Sequence, residues 1–307
     1  MKKMILLISF CFIAGKLCYV YASGDKPAVA NISPCHYLEG FVDMKVSLEE
    51  LVKKGQLLFT ISTDHIQIAK AQYENRVWYY KEEYGRVKKL AKTHSKSIEN
   101  VQEAKYNLKH AIECLKMENM LIDKWSKYYA PFDGIVTKIY NYNGSGTSRG
   151  SGSRDNNAVL EIAKLEDYKK GEIKIGPAVA QVVSILFGTV DLRVTLEEKV
   201  KKDQLLFKID TAIYEIKNAK RKANLEYNKA RYERTKKLYE QNNESLKNYQ
   251  TAEYEYRDAA QGLKRTELQI NKRSCYYAPF DGIVTNITHY TGSFVFAGHK
   301  VLEVTKN

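Results

Sequence analysis

The residues Ala130-Pro131-Phe132-Asp133-Gly134-Ile135-Val136-Thr137 occur twice. They return without change as Ala278-Pro279-Phe280-Asp281-Gly282-Ile283-Val284-Thr285, 148 positions on. Self-similarity at a fixed spacing governs the reading of everything else in a chain. At the same spacing VSLEELVKKGQLLFTI, from Val46, matches VTLEEKVKKDQLLFKI, from Val194, at 12 of 16 positions. Gly40-Phe41-Val42-Asp43 aligns with Gly188-Thr189-Val190-Asp191, and no gap is needed from Leu38 to Gly144. The 307 residues therefore divide into two copies, expected at 23–164 and 165–307.

Each copy reads as three parts. Apolar runs bounded by turn signals predict short strands at about 30–63 and 175–211. Lys53-Lys54-Gly55-Gln56 is one such turn. The second copy has Asp203 where the first has Gly55, and aspartate tolerates left-handed backbone better than most residues. A helical part follows, at about 64–125 and 212–273. Ile66, Ala69, Tyr73, Val77, Tyr80, Tyr84, Val87 and Ala91 step by three and four, as do Val101, Ala104, Leu108, Ala111 and Leu115. Tyr249, Ala252, Tyr256, Ala259, Leu263 and Ile270 repeat the stripe. Breaks at Thr93-His94-Ser95 and Gln241-Asn242-Asn243 predict antiparallel coiled-coil hairpins. About 28 residues per helix makes each arm ~40 Å long. The third part is β again, opened by the Pro131–Gly134 turn. The loop Gly144–Gly152 is six residues longer than its partner. It lacks the strand-loop-helix setting and the Gly-Lys-Ser/Thr ending of a phosphate loop. The fold class is α+β.

Lys2 and Lys3, the apolar run from Met4 to Gly15, and Val20-Tyr21-Ala22 before Ser23 read as a signal peptide, 1–22, with cleavage after Ala22. The alternative is an uncleaved anchor, but Lys16 interrupts a run that would need ~20 apolar residues to span. The net charge of +13 is spread through Glu-rich helical segments as solvated faces; export argues against a nucleic-acid partner and leaves an acidic membrane surface or acidic protein open. Beyond the signal stand Cys35, Cys114 and Cys275, an odd number unmatched between copies. They are read as small, partly buried hydrophobes rather than a disulfide framework.

The half-motif Gly40, Val42, Val46, Val52-Lys53-Lys54-Gly55-Gln56-Leu57-Leu58-Phe59, a long hairpin, and then Ala-Pro-Phe-Asp-Gly-Ile-Val together resemble the membrane fusion, or periplasmic adaptor, proteins related to haemolysin secretion protein D. The resemblance implies a split lipoyl-like β-domain, a barrel-sandwich hybrid, with the hairpin inserted between its halves. It covers nearly all of the chain beyond the signal, twice. It implies a periplasmic adaptor subunit of a tripartite efflux or secretion system, serving transmembrane transport. Members that dock onto TolC-type outer-membrane channels carry Arg, Leu four residues on, and Ser seven further. Here these are Arg86, Leu90 and Ser97, and Arg234, Leu238 and Ser245. By resemblance Arg hydrogen-bonds the channel, Leu fills an apolar notch and Ser starts the returning helix. Each also has a local reading: Arg86 as partner of Glu82 one turn back, Leu90 and Leu238 as the ends of the apolar seam, and Ser97 and Ser245 as N-caps.

Standard adaptors continue into a β-barrel and a membrane-proximal domain. This sequence ends at Asn307, just after Val301-Leu302-Glu303-Val304, so contact with an inner-membrane transporter is expected through another subunit. Two hairpins per chain point to a trimer that would supply six. Competing classes have less in their favour. The six His residues (36, 65, 94, 110, 289, 299) form no paired metal spacing, GxSxG is absent, and Asp133 and Asp281 each sit before a turn Gly, so neither enzyme nor metal site is expected. No cofactor is expected either, because the hairpin occupies the turn where lipoyl and biotinyl carriers present their Lys. The alternative function is a non-transport periplasmic scaffold or binding protein that keeps the adaptor fold.

Overall fold

In a computed structural model, residues 7–13, 16–22, 29–32, 40–142, 146–147, 158–169, 171, 175 and 178–306 are described. The chain is α+β. The first copy contains β3 (Val29–Ile32), β4 (Gly40–Met44), β5 (Leu51–Val52), β6 (Leu57–Ile61), helices α1 (Asp64–Lys92) and α2 (Ile98–Asp123), then β7 (Lys127–Tyr129), β8 (Gly134–Ile139), β9 (Gly146–Thr147) and β10 (Leu160–Lys164). They are preceded by β1 (Leu7–Ile13) and β2 (Lys16–Ala22). A short α3 (Leu165–Lys169) leads into β11 (Val179–Val183), β12 (Gly188–Leu192), β13 (Lys199–Val200) and β14 (Leu205–Ile209). Then come α4 (Ala212–Glu240), α5 (Leu246–Lys272), β15 (Cys275–Tyr277), β16 (Gly282–Ile287), β17 (Phe294–Val295) and β18 (Lys300–Lys306).

The chain forms two units. One gathers the β segments of both copies (Met1–Thr63, Asp123–Asp210, Lys272–Asn307) and the other gathers all four long helices (Asp64–Ile122, Thr211–Asn271).

In the β unit each copy closes its own sheets. The order β7-β6-β4-β9 recurs as β15-β14-β12-β17, and β3-β10-β8-β5 recurs as β11-β18-β16-β13. The registers repeat as well: Val42 pairs with Ile61 and Val190 with Ile209, while Leu51 pairs with Ile135 and Lys199 with Ile283. The halves on either side of each hairpin thus pair within one copy. The same apolar positions are buried in both copies: Leu58, Ile61 and Val136 in one, Leu206, Ile209 and Val284 in the other. Phe59 stacks on Tyr128 and Phe207 on Tyr276, at 4.5 and 4.4 Å between ring centroids.

The repeated octapeptide acts as a backbone clamp. Gly55 N–H donates to Ala130 O at 2.8 Å, and Ala130 N–H returns a bond to Gln56 O at 2.9 Å; Asp203, Ala278 and Gln204 repeat the pair. The turn requires left-handed backbone, with φ of 83° at Gly55 and 64° at Asp203, so aspartate does take up the conformation expected of it. Gly134 and Gly282 lie where a Cβ would come within 2.2 Å of Ala163 O and 2.3 Å of Thr305 O, which only glycine permits.

In the helical unit the predicted stripes are buried or half-buried throughout, and both hairpins break where expected. The second seam is more aromatic than the first, with Tyr239, Tyr249 and Tyr256 where the first has Ala91, Val101 and Leu108. Tyr232 stacks on Tyr249 and Tyr256 at 5.9 and 5.5 Å, and Tyr239 on Tyr249 at 5.1 Å.

Within the predicted signal, β1 and β2 pair antiparallel from Leu7↔Ala22 to Ile13↔Lys16, and β2 continues onto β3. The rest of that segment, Ser23 at the cleavage point, Cys35, His36 and most of the Gly144–Gly152 loop lie outside the described residues. Cys114 and Cys275 are free and partly buried, as expected. Among the described residues, no helix is long and apolar enough to cross a membrane.

Candidate docking site at the hairpin tips

Each tip is built from a helix stop, a turn and a helix start. At the first tip, Ser95 N–H donates to Leu90 O at 2.9 Å and His94 N–H to Ala91 O at 3.2 Å, with His94 at φ 53°. At the second, Asn243 N–H donates to Leu238 O at 2.8 Å and Asn242 N–H to Tyr239 O at 2.9 Å, with Asn242 at φ 60°. Both are Schellman turns, in which a left-handed residue past the helix end lets two orphan carbonyls be satisfied. Leu90 and Leu238 are the residues whose carbonyls accept the outer bond, from the residue five positions on.

The returning helices start on Ser97 and Ser245. Ser97 Oγ accepts from Asn100 N–H at 3.4 Å, and Ser245 Oγ from Asn248 N–H at 3.1 Å. These are N-caps in the usual position, three residues ahead. The seven-residue interval from Leu to Ser is therefore the length of one Schellman turn plus one N-cap. A Ser97 side-chain hydrogen bond holds the Glu99 carboxyl below its usual range, and a bond from Ser245 N–H does so for Glu244. Both carboxylates lie by the positive end of a helix.

The structure parts the two arginines. Arg86 donates to Gln250 Oε1 on α5, and Gln250 Nε2 donates to Glu82 Oε2 at 3.1 Å. The expected Glu82–Arg86 relation thus runs through a glutamine of the other hairpin. Arg234 is exposed and has no hydrogen-bond or ion-pair partner among the described residues. Leu90 is 38% exposed and Leu238 half-buried, while Ser97 and Ser245 are exposed.

Ile98 and Leu246 were not singled out by sequence reasoning. They are equivalent first residues of the returning helices, 65% and 42% exposed, an unusual place for bare apolar surface. The signal was present, an aliphatic residue after the capping Ser in both copies. Ala91, His94, Ser95, Lys96, Ser97, Ile98 and Asn100 line an open notch of about 640 Å³ at the first tip.

The other chemistry-bearing residues are accounted for structurally. Asp133 Oδ1 accepts from Lys54 N–H and Asp281 Oδ1 from Lys202 N–H, both at 2.6 Å. Cys114 Sγ lies 3.9 Å from the His110 ring nitrogens, one helical turn apart on an exposed face. Among the described residues no group of three or more His, Cys, Asp or Glu could hold a metal ion.

No protein-family model matches the sequence, and no curated protein does. Solved structures do. A putative efflux transporter from Bacteroides eggerthii matches over 43% of this chain and 40% of its own, at 23% identity and a TM-score of 0.38. A chimera of MacA and MexA, containing the Pseudomonas aeruginosa MexA α-hairpin domain, matches over 42% and 48% at 24% identity and a TM-score of 0.35. A membrane fusion protein from Streptococcus pneumoniae R6 matches over 54% and 71% at 13% identity and a TM-score of 0.36. The chain spans less than half the length of the first two. In its sequence motifs this chain resembles the membrane fusion, or periplasmic adaptor, proteins, and a membrane fusion protein is among the solved structures that match part of it.

Proposed function

We propose that the chain is a periplasmic adaptor of a tripartite efflux or secretion system, made of two tandem lipoyl-like domains at 23–164 and 165–307, each carrying a hairpin whose tip docks onto a TolC-type outer-membrane channel. The observation that carries this reading is the pair of tips. Leu90 and Ile98 at the first tip and Leu246 at the second stand at the surface, with Leu238 half-buried beside it, on turns pinned by the same backbone bonds. A rigid, exposed apolar point that recurs in two diverged hairpins fits a socket on a partner better than it fits solvent. Leu90, Leu238, Ile98 and Leu246 supply the apolar contact and Arg234 a free guanidinium. Arg86 holds the hairpins together, and Ser97 and Ser245 set the turn.

Export by a cleavable signal fits the same picture. Removing 1–22 would take away β1 and β2 and leave β3-β10-β8-β5, the order of its counterpart β11-β18-β16-β13. An inner-membrane transporter is the second partner, and three chains would present six hairpins.

A photo-crosslinking residue placed at Leu90 and, separately, at Leu238 tests the reading in cells. Adducts to an outer-membrane channel at both positions are expected. Adducts at neither, from a folded and exported chain, would leave a periplasmic scaffold as the function.

A further inference from the structure

The contact that joins the two hairpins within the chain runs between α1 of the first copy and α5 of the second. Tyr79 stacks on Tyr254, ring centroids 4.7 Å apart, with its hydroxyl 3.3 Å from Thr251 Oγ1. Asn75 Nδ2 donates to Tyr254 O at 3.0 Å. The Arg257 guanidinium lies over Trp78 at 4.7 Å, and Arg86 donates to Gln250. Asn75 is buried and Tyr79 and Tyr254 are half-buried as a result.

The duplication places the equivalent faces on α4 and α2, and among the described residues nothing covers the tyrosines there. Tyr227 stands where Tyr79 does, and Tyr106 where Tyr254 does; they are 64% and 67% exposed. Arg234 and Gln102 occupy the positions of Arg86 and Gln250, and both are exposed. Two of the internal pairings, Tyr with Tyr and Arg with Gln, are thus preserved residue for residue on surfaces that do not meet within the chain. A third changes in a complementary way. Glu226 and Lys109 replace Trp78 and Arg257, putting opposite charges in place of a cation over a ring. Glu103 replaces Thr251 and offers the Tyr227 hydroxyl a carboxylate. Two contacts have no counterpart: Gln72 Nε2 with Asp258, at 3.4 Å, where Lys220 and His110 stand, and the bond from Asn75, where Ala223 stands.

We infer that copies of this chain associate head to tail, the outer face of α4 on one packing against the outer face of α2 on the next, in the arrangement α1 and α5 adopt internally. The two faces differ, so the contact is heterologous. It cannot be satisfied mutually by a two-fold pair, and it propagates until a ring closes or a filament grows. This names the surface that would assemble the proposed trimer. It rests on the chains assembling and is independent of any channel.

Sedimentation velocity on the purified full chain tests it. Assembly beyond a monomer is expected with rising concentration. Tyr227→Ala and Tyr106→Ala should each weaken it by about tenfold or more, the loss expected of a central aromatic contact. Both sites are exposed, so melting temperatures should be unchanged. Mixing the two variants should restore a dimer and nothing larger, because each retains one intact face. Glu226→Lys should weaken assembly, and adding Lys109→Glu should recover it. A chain that stays monomeric, tyrosine variants that assemble like the parent, or a mixture that forms no dimer would each overturn the inference. None of these outcomes depends on docking, so failure here and failure of the channel crosslinks are separable.

Discussion

Asp133 and Asp281 hold their positions through one hydrogen bond each. Both carboxylates accept from a lysine backbone N–H of the turn that enters the clamp. Asp133→Ala should cost about 1 kcal/mol, with Asp133→Asn costing less because an acceptor oxygen remains; urea unfolding measures both. Tyr276 is fully buried, and its hydroxyl accepts from Ile185 N–H at 2.7 Å. Tyr276→Phe strands that donor and should cost about 1–3 kcal/mol by the same measurement. At this scale the sequence was informative wherever a backbone conformation restricts residue type. Aspartate in place of glycine at 203 correctly announced a left-handed turn. It was silent where side chains bond across a loop. Ser47 N–H donates to Glu50 Oε2 at 2.8 Å and Gln56 Nε2 to Glu50 Oε1 at 3.1 Å, and Thr195, Glu198 and Gln204 repeat this. Glu50 and Gln56 recur unchanged and Ser47 recurs as Thr195, but periodicity says nothing of which polar groups meet.

The helices followed their apolar stripes closely, because a 3.6-residue period leaves little choice of face. Their partners did not. The stripe identifies the seam within a hairpin, whereas α1 meets α5 through polar and aromatic residues on its flank that read as solvated. Arg86 and Arg234 show the consequence. Identical in motif, one is bound to Gln250 and the other is exposed. Arg86→Ala should lower the stability of the helical unit by about 1 kcal/mol, since it leaves the buried Gln250 Oε1 without its donor. Arg234→Ala should change it by less than about 0.5 kcal/mol, as surface substitutions do. Thermal unfolding followed by helical circular dichroism separates the two.

For the molecule as a whole, burial of tyrosine sets the response to alkali. The Tyr142 hydroxyl is buried without a partner among the described residues and is pushed up to about 12, and burial raises Tyr276 and Tyr254 as well. In the unfolded chain these groups titrate near 10. Below that pH both states hold the protons and stability is flat. Above it the unfolded state loses them first, so stability falls as pH rises from about 10 to 12. Urea midpoints across that range should decline, and less steeply in Tyr142→Phe.

The division of the chain into a β unit and a helical unit was only half legible. The duplication announced two copies, but it could not say that both hairpins would gather against one another. That contact runs through side chains off the apolar stripe, such as Tyr79 and Tyr254, and a period of three and four says nothing of which flank finds a partner.

The covalent tie between the hairpins changes the mass action of assembly. The α1–α5 contact forms at the effective concentration set by a connecting segment of one chain, not at the concentration of free subunits. In the proposed trimer every second hairpin contact is present before two chains meet. Occupancy of a six-arm ring would then scale with the third power of chain abundance rather than the sixth. A sparsely expressed chain gains most from that difference, and the two arms reach any ring in equal numbers however unevenly it is made.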